Sequence, residues 1–260
     1  MTASLLALAL KMGLVAAIVV GAASIAERSR PAVAALVATL PVSIGPTYVL
    51  LALDHDAAFL TAAALKSAAS VGATMAFIMA YANALTRFGP ASALAAAYCA
   101  WIPAAWFVHH HAWTVGEVVM FVALTSIAGA IAMRRLRHHQ AESSGQRRRW
   151  DVPARAAGVV ALVGAITALS ESLGPSGSGT LANFPVVMTS VTLITHLRLG
   201  GLAAAAMLAN STGGMVGVSA ALLTVHFAIP VLGAALALLT GLVFCIVWNL
   251  GIFLRAHHRF

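Results

Sequence analysis

The sequence predicts an all-α integral membrane protein, and three observations lead to that prediction. Of the 260 residues, 61% are hydrophobic and only 8% are charged, whereas soluble domains contain about 25% charged residues. The apolar runs are rich in Ala, Leu, Val and Gly, and they lack the polar–apolar alternation of a membrane β-strand. Polar residues are concentrated in the breaks between these runs. In hydrocarbon, helices satisfy the backbone groups of such runs internally.

About nine apolar segments follow one another along the chain, most of them near the roughly 20 residues that a helix needs to cross a bilayer. The breaks between them contain charged residues, histidines, glycines or prolines. One long hydrophilic stretch, residues 134–155, follows segment 5. The predicted segments are 3–25, 31–53, 57–84, 90–108, 113–133, 156–172, 179–197, 200–226 and 229–254.

The arginines fall on one side of the membrane when nine segments are threaded through it. They follow segments 1, 3, 5, 7 and 9, and none lies in the breaks after segments 2, 4, 6 or 8. Because arginine-rich loops stay in the cytoplasm, the N-terminus is predicted outside and the C-terminus inside a bacterial-type inner membrane. The same distribution accounts for the formal charge of +8 without a nucleic-acid partner. Membrane lipid is the expected neighbour of the basic loops.

An internal repeat relates the two halves of the chain at an offset of 144 residues. Residues 27–41 and 171–185 share a glutamate, a proline four residues later and a second proline ten residues after that. Charged residues and prolines are infrequent in membrane helices, so their recurrence at one offset indicates duplication. The matched positions are Glu27 with Glu171, Pro31 with Pro175, Ala38 with Ala182, Leu40 with Phe184, Pro41 with Pro185, Leu65 with Ala209, Ser67 with Ser211 and, after one insertion, Gly72 with Gly217.

The repeat predicts two inverted four-helix units. Residues 1–110 form the first, residues 111–155 supply the linking segment 5 and a basic cytoplasmic loop, and residues 156–260 form the second. Because the linking segment is unpaired, segments 1 and 6 cross the membrane in opposite directions. Inverted repeats allow inward-open and outward-open forms of similar energy, as in many secondary transporters. A large bundle built by duplication is the simpler alternative.

Secondary transport of a small solute or ion by alternating access is the predicted function. The chain has no GxSxG, Walker or CxxC motif and no close carboxylate pair inside a segment, so catalysis is not predicted. No cofactor or metal is predicted either, since consecutive histidines such as those at 109–111 do not share one helix face. A lipid-handling membrane enzyme and a non-transporting partner subunit are the alternatives. The assembly is left open, with a homodimer as one arrangement.

Broken helices are the first candidate site. Pro41 interrupts segment 2 and Pro185 interrupts segment 7, and each proline removes a helical hydrogen bond. Broken helices at corresponding positions of two repeats point to a transport site. Packing kinks are the alternative. The polar and small residues around the two interruptions are Ser43, Gly45, Thr47, Asn183, Thr189 and Ser190.

Lys66 is the second candidate because it lies near the middle of segment 3. A lysine at bilayer depth costs roughly 3 kcal/mol unless it faces a cavity or a partner. The repeat places Asn210 at the equivalent position, and Ser67 and Ser211 follow them. In an inverted pair these positions are expected to meet near the midplane, where Lys66 would favour an anionic or carboxylate-bearing solute. An internal counter-ion with a structural role is the alternative.

Glu27 and Glu171 complete the candidate set, and each lies at the end of the first segment of its half. A carboxylate there can accept hydrogen bonds from the start of the next helix. The other hypothesis is a gate or coupling carboxylate on each face of the membrane.

Overall fold

A computed structural model describes Ala17 and residues 44–136 and 151–257 of the chain. These residues form α-helices and short connections, with no β-strand among them, so the all-helical prediction is confirmed for the part of the chain that is described. The helices are α1 Ile44–Asp54, α2 Ala57–Leu85, α3 Pro90–His110, α4 Val115–Ala132, α5 Asp151–Ala182, α6 Val186–Leu199 and α7 Gly201–His257.

Five helical stretches of the described residues are long and apolar enough to cross a membrane, which indicates a helical membrane protein. The count of nine segments stays a prediction, because segment 1 and the first part of segment 2 lie outside the described residues. The five stretches are Ala57–Leu85, Pro90–His110, Val115–Ala132, Ala157–Leu197 and Gly201–Arg255.

Helix α2 lies at the centre of the bundle. It contacts α3, α4, α5 and α7, and most of its side chains are buried. Its middle is a run of Ala, Ser, Val and Gly, residues that allow neighbouring backbones to approach closely. Helix α4, in contrast, buries few residues and presents aliphatic side chains outward. The bundle therefore has a small-residue centre and an apolar outer surface suited to lipid.

Helix α7 contains a reversal of the chain at Gly233. The residue has φ 76° and ψ 167°, a conformation that glycine adopts without steric cost. We call residues 201–232 the first arm of α7 and residues 234–257 the second arm. The predicted boundary between segments 8 and 9, at residues 227–228, is therefore a few residues too early, because the helix continues through Pro230 and turns at the glycine.

The two arms of α7 pack against each other in opposite directions. Trp248 of the second arm donates its Nε1–H to the carbonyl oxygen of Gly213 at 3.0 Å, and its ring lies where a side chain at Gly217 would be. Further along, Gly241 packs against Val225. The glycines of α7 thus provide the space that an antiparallel helix pair needs.

The first arm of α7 also crosses α2 in the opposite direction. The contacts begin near the end of α2 and the start of α7, and they finish near the start of α2 and the end of the arm. The three pairs are Gly201 against Leu85, Ser219 Oγ donating to the Ala68 carbonyl at 3.1 Å, and His226 Nδ1 bonded to the Thr61 carbonyl at 2.8 Å. This register places the centre of the crossing near Val71.

The two ends of the bundle differ in charge. Where α2 and α4 finish, Arg87, Arg134 and Arg135 border an open cleft. Where α2 begins, the connection from α1 contains Asp54 and Asp56. The described part of the chain therefore brings arginines from two predicted cytoplasmic loops to the same end, as the one-sided arginine pattern requires, while the orientation in a membrane stays a prediction.

Candidate functional site

The chain leaves the helical conformation twice between α5 and α6. At Gly174, φ is 61° and ψ is −176°, so α5 bends there and restarts at Pro175. The helix then ends at Ala182, and α6 begins after Pro185, whose φ is −79° and ψ is 46°. The predicted interruption of segment 7 at Pro185 is confirmed. We call residues 183–185 the helix break and residues 175–182 the short arm.

Polar side chains of α2 satisfy the backbone around the helix break. Ser67 Oγ donates to the carbonyl oxygen of Gly179 at 2.7 Å, and Thr74 Oγ1 donates to that of Asn183 at 3.3 Å. In return, Asn183 Nδ2 donates to the Ser67 carbonyl at 2.8 Å. Backbone groups released by a broken helix must find partners when they are buried away from water. These three bonds attach the broken segment to the central helix.

The helix break lies halfway along α2. Val71 is the midpoint of α2, and the two residues that hold the break, Ser67 and Thr74, lie on either side of it. They are seven residues apart, which is two helical turns, so both face the break. At 1.5 Å per residue α2 is about 43 Å long. The break is therefore near the middle of a helix that can span the bilayer.

The backbone of the short arm packs directly against the backbone of α2. A side chain on Gly179 would overlap the carbonyl oxygen of Ala63 and lie 2.9 Å from Lys66 Cβ. The Ser67 hydroxyl beside it is also 2.7 Å from Tyr48 OH of α1. Ser67 therefore joins α1, α2 and the short arm at one fully buried point.

Two buried polar atoms near the helix break have no hydrogen-bond partner among the described residues. They are Ser178 Oγ of the short arm and Trp101 Nε1 of α3, whereas Tyr81, whose OH also lacks a partner among the described residues, lies about 15 Å along α2 from Val71. Trp101 contacts Phe184 of the break, with ring centroids 5.0 Å apart. A buried polar group without a partner costs about 1–3 kcal/mol, so a hydrogen bond from a polar ligand to any of these atoms would be favourable. The aromatic cluster here, linked ring to ring, comprises Phe77, Tyr81, Tyr98, Trp101 and Phe184.

Lys66 points away from the helix break and towards the end of α3. The last carbonyls of a helix lack intrahelical partners, and a positive charge there also complements the helix dipole. A lysine ammonium has three protons to donate, and here it has three backbone acceptors. These are the carbonyl oxygens of Val108 at 3.0 Å, His109 at 2.9 Å and His111 at 2.5 Å. Lys66 thus caps α3.

The structure does not bring Lys66 and Asn210 together. Asn210 Nδ2 donates to the Ala206 carbonyl, and Ser211 Oγ donates to that of Leu208, both within α7. In the α2–α7 register, Asn210 lies level with Phe77, about 16 Å along α2 from Lys66 at 1.5 Å per residue. Equivalent positions of an inverted pair meet only at the crossing point, and these two lie on opposite sides of it.

The glutamate candidates lie away from the helix break or outside the described residues. Glu171 is exposed in the last turn before Gly174. The neighbouring Ser170 Oγ is 2.7 Å from His55 Nε2, at the connection between α1 and α2. Both hypotheses for Glu171, a cap or a gate, stay predictions. Glu27 and Pro41, the corresponding residues of the first half, lie outside the described residues.

Comparison of the chain with protein-family models, with curated proteins and with solved structures finds no match. Within residues 44–136 and 151–257, no three His, Cys, Asp or Glu side chains are grouped so that they could hold a metal ion. The polar side-chain groups at the helix break are therefore hydroxyl, amide and indole groups.

Sequence reasoning identified Ser67, Pro185 and Asn183 but missed Thr74, Gly179 and Ser178. The signal for Thr74 was its spacing of two helical turns from Ser67 on a helix otherwise dominated by alanine. Gly179 and Ser178 lie in the Ser-Gly-Ser-Gly stretch after Pro175, which resembles a loop in sequence. That stretch is helical because it packs directly on α2.

Proposed function

We propose that this chain is a secondary transporter that moves a small solute across an inner membrane by alternating access, with the solute bound at the helix break. The main support is the position of the break at the middle of the central helix. Transporters of the inverted-repeat type bind substrate where a discontinuous helix exposes polar groups at the bilayer midplane. Here the break is held by Ser67 and Thr74, and unpartnered polar atoms lie beside it.

The helix boundaries support a repeat as well. Shifted by the 144-residue offset, α1 falls within the bounds of α6, and α2 falls within the first arm of α7. The same shift places α3 within the second arm of α7, so the turn at Gly233 matches the connection between α2 and α3. Three described helices of the first half, α1 to α3, therefore have counterparts in the same order in the second half, and the connection between α2 and α3 matches the turn at Gly233.

The crossing of α2 with the first arm of α7 favours inversion of the two halves. Equivalent helices of an inverted repeat run in opposite directions and are related by an axis in the membrane plane. The contacts of Ala68 with Ser219 and of Thr61 with His226 give that antiparallel arrangement. Such an axis would pass close to Val71, which is also the level of the helix break. Exchange of the two halves between equivalent conformations would then open the break to either side.

The groups at the helix break suit a small polar solute with hydrogen-bond acceptors. Ser178 Oγ and Trp101 Nε1 can each donate a hydrogen bond, and neither is charged at neutral pH. A carboxylate-bearing solute remains in the proposed class. Lys66 would contribute only through its field, because its three protons are bonded to the end of α3.

Thiol accessibility tests alternating access without knowledge of the solute. In a chain with Cys99 and Cys245 replaced by alanine, Ser178→Cys adds one thiol of similar size beside the break. A membrane-impermeant thiol reagent is then applied to sealed vesicles of either orientation. We expect slow modification from both sides, because the site would face each side in turn. Modification from one side only, or from neither, contradicts the proposal.

Two further positions control the accessibility experiment. Leu124→Cys lies on the outward aliphatic face of α4 and should react from neither side, since a polar reagent does not enter lipid. Thr86→Cys lies at the exposed end of α2 and should react from the arginine side only. The two controls show that the vesicles are sealed and that the reagent reports exposure to water.

Flux measurements test the solute class. Proteoliposomes on a solid-supported membrane would be exposed to a panel of small anions, amino acids and cations, and charge movement would be recorded. Ser67→Ala should lower any current, because it detaches the short arm from α2, whereas Ser211→Ala, the same change at the equivalent position, should not. Normal current in Ser67→Ala contradicts the proposed site. A folded wild type that gives no current, together with modification of the Ser178→Cys variant from one side only, favours a partner subunit or an enzyme.

A further inference from the structure

An open cleft lies at the arginine end of the bundle, between the end of α2 and the end of α4. Its volume is about 560 Å³. Arg87 follows α2, and Arg134 and Arg135 follow α4; all three side chains line the cleft and are exposed. No acidic residue is among the described residues that line it. Three arginines therefore border one open space that no acidic residue lines within the described part of the chain.

Asn83 of α2 and Thr86, the residue after α2, are the neutral polar residues that line this cleft. Asn83 Nδ2 donates to the Met79 carbonyl at 2.8 Å, and Thr86 Oγ1 donates to that of Asn83 at 2.7 Å. Their protons are used within the helix, so Asn83 Oδ1 and the Thr86 oxygen are left as acceptors towards the cleft. Acceptors beside guanidinium groups suit a ligand that has both a phosphate and hydroxyl groups.

The cleft continues into the aliphatic surface of α4. Ile131 lines the cleft and is 72% exposed. Further along the same helix, Ile127, Leu124 and Met120 are also exposed. They recur at intervals of three or four residues, so they form one stripe along the helix. The stripe leads from the arginines towards the middle of the membrane, and an acyl chain could lie along it.

We propose that this cleft binds an anionic phospholipid, with the phosphate between the three arginines, headgroup hydroxyls at Asn83 and Thr86, and an acyl chain along the α4 stripe. Guanidinium groups pair with phosphate oxygens through two parallel hydrogen bonds. Basic pockets between helices on the cytoplasmic side are suited to such headgroups. The site is separate from the helix break, and it does not depend on the transport proposal.

Native mass spectrometry of the purified protein tests this site by measuring lipid retention. Phosphatidylglycerol, phosphatidylcholine and glycerol 3-phosphate would be titrated separately. The cleft variant is R87Q/R134Q/R135Q, and the control R147Q/R148Q/R149Q removes the same charge from the basic loop. Each arginine bonded to the phosphate is expected to contribute roughly fivefold to affinity, as one net hydrogen bond does. We expect the cleft variant to bind phosphatidylglycerol about 100-fold more weakly and the control to change little.

Three results would overturn the proposal. An equal loss of phosphatidylglycerol binding in the cleft variant and the control would show general attraction to positive charge. Retention of phosphatidylcholine equal to that of phosphatidylglycerol would show that the acyl chains alone are recognised. Tight binding of glycerol 3-phosphate would identify a site for a free anion. If the cleft variant does not fold, R87K/R134K/R135K keeps the charge. It should bind phosphatidylglycerol about tenfold more weakly because lysine lacks the paired hydrogen bonds, and wild-type affinity would contradict the geometry.

Discussion

Lys66 belongs to α2 and Asn183 is bonded to the next residue of α2, Ser67, but their polar atoms end in different regions of the protein. The Lys66 side chain is long enough to reach the end of α3, where three carbonyls receive its charge. The Asn183 amide is short, stays at mid-bundle and is bonded to the Ser67 carbonyl while 5% of the residue is exposed. A charged residue within a membrane helix can therefore be less informative about a site than a short neutral one.

The difference follows from the physical chemistry of the two side chains. A lysine in hydrocarbon lowers its cost by extending to a polar region, and its flexible stem makes that possible. An asparagine cannot move its amide far from its own backbone, so a buried amide must be matched by polar atoms in place. Asn183, Ser67 and Thr74 therefore mark a polar level at the middle of the bundle.

The largest loss of stability is expected from filling the contact between the short arm and α2. Gly179→Ala places a methyl group against the Ala63 backbone, which cannot move as a side chain tip could. Overpacking of this kind costs about 1–3 kcal/mol, and we expect the upper end. Thermal unfolding in detergent measures the change. Gly45→Ala is the control, because none of the described residues lies within 4 Å of its added methyl group, and an equal loss in both variants would contradict the close approach.

A smaller loss is expected from Lys66→Met, which keeps the length of the side chain and removes its charge. Hydrogen bonds to charged groups contribute about 1.5–3 kcal/mol, and we expect a loss near 2 kcal/mol because the end of α3 is partly open to solvent. Thermal unfolding and flux per folded molecule should be measured together. We expect lower stability with flux retained. Loss of flux at unchanged stability would restore Lys66 as a solute ligand, as the sequence alone predicted.

Helix existence and several helix ends could be predicted because they depend on local sequence. Segments 3 to 5 agree with α2, α3 and α4 to within two residues at each end. Their starts have local signals: Asp56 accepts a hydrogen bond from Phe59 N, Pro90 is the first residue of α3, and Thr114 forms a capping box with Glu117. The boundary between segments 8 and 9 was predicted at residues 227–228, whereas the helix continues through Pro230 and the chain turns at Gly233.

The candidate site could be predicted only in part because packing between distant segments defines it. The helix break follows from Pro185, and Ser67 follows from the repeat. The role of Gly179 depends on contact with Ala63, more than 100 residues earlier in the chain. The destination of the Lys66 ammonium likewise depends on where α3 ends relative to α2. Neither is present in the local pattern of the sequence.

The smallest effect on stability is expected from Asn183→Ala, which tests whether the amide at mid-bundle is structural or binds solute. Removing one buried hydrogen bond costs about 1 kcal/mol. We expect no larger loss, because the Ser67 carbonyl stays within α2. A structural amide would change flux no more than this loss of folded protein explains. We expect instead that flux per folded molecule falls about fivefold, since a lost ligand contact of about 1 kcal/mol weakens binding by that factor.

Asn83→Ala provides the matched control for this last comparison. Asn83 also donates its amide to a backbone carbonyl, but it is exposed at the end of α2, so both stability and flux should stay close to the wild type. If Asn183→Ala lowers stability as expected and leaves flux per folded molecule at the wild-type value, the amide holds the helix break without contacting the solute. In that event the solute contacts must come from the unpartnered groups beside it, with Ser178 first among them because it belongs to the short arm itself.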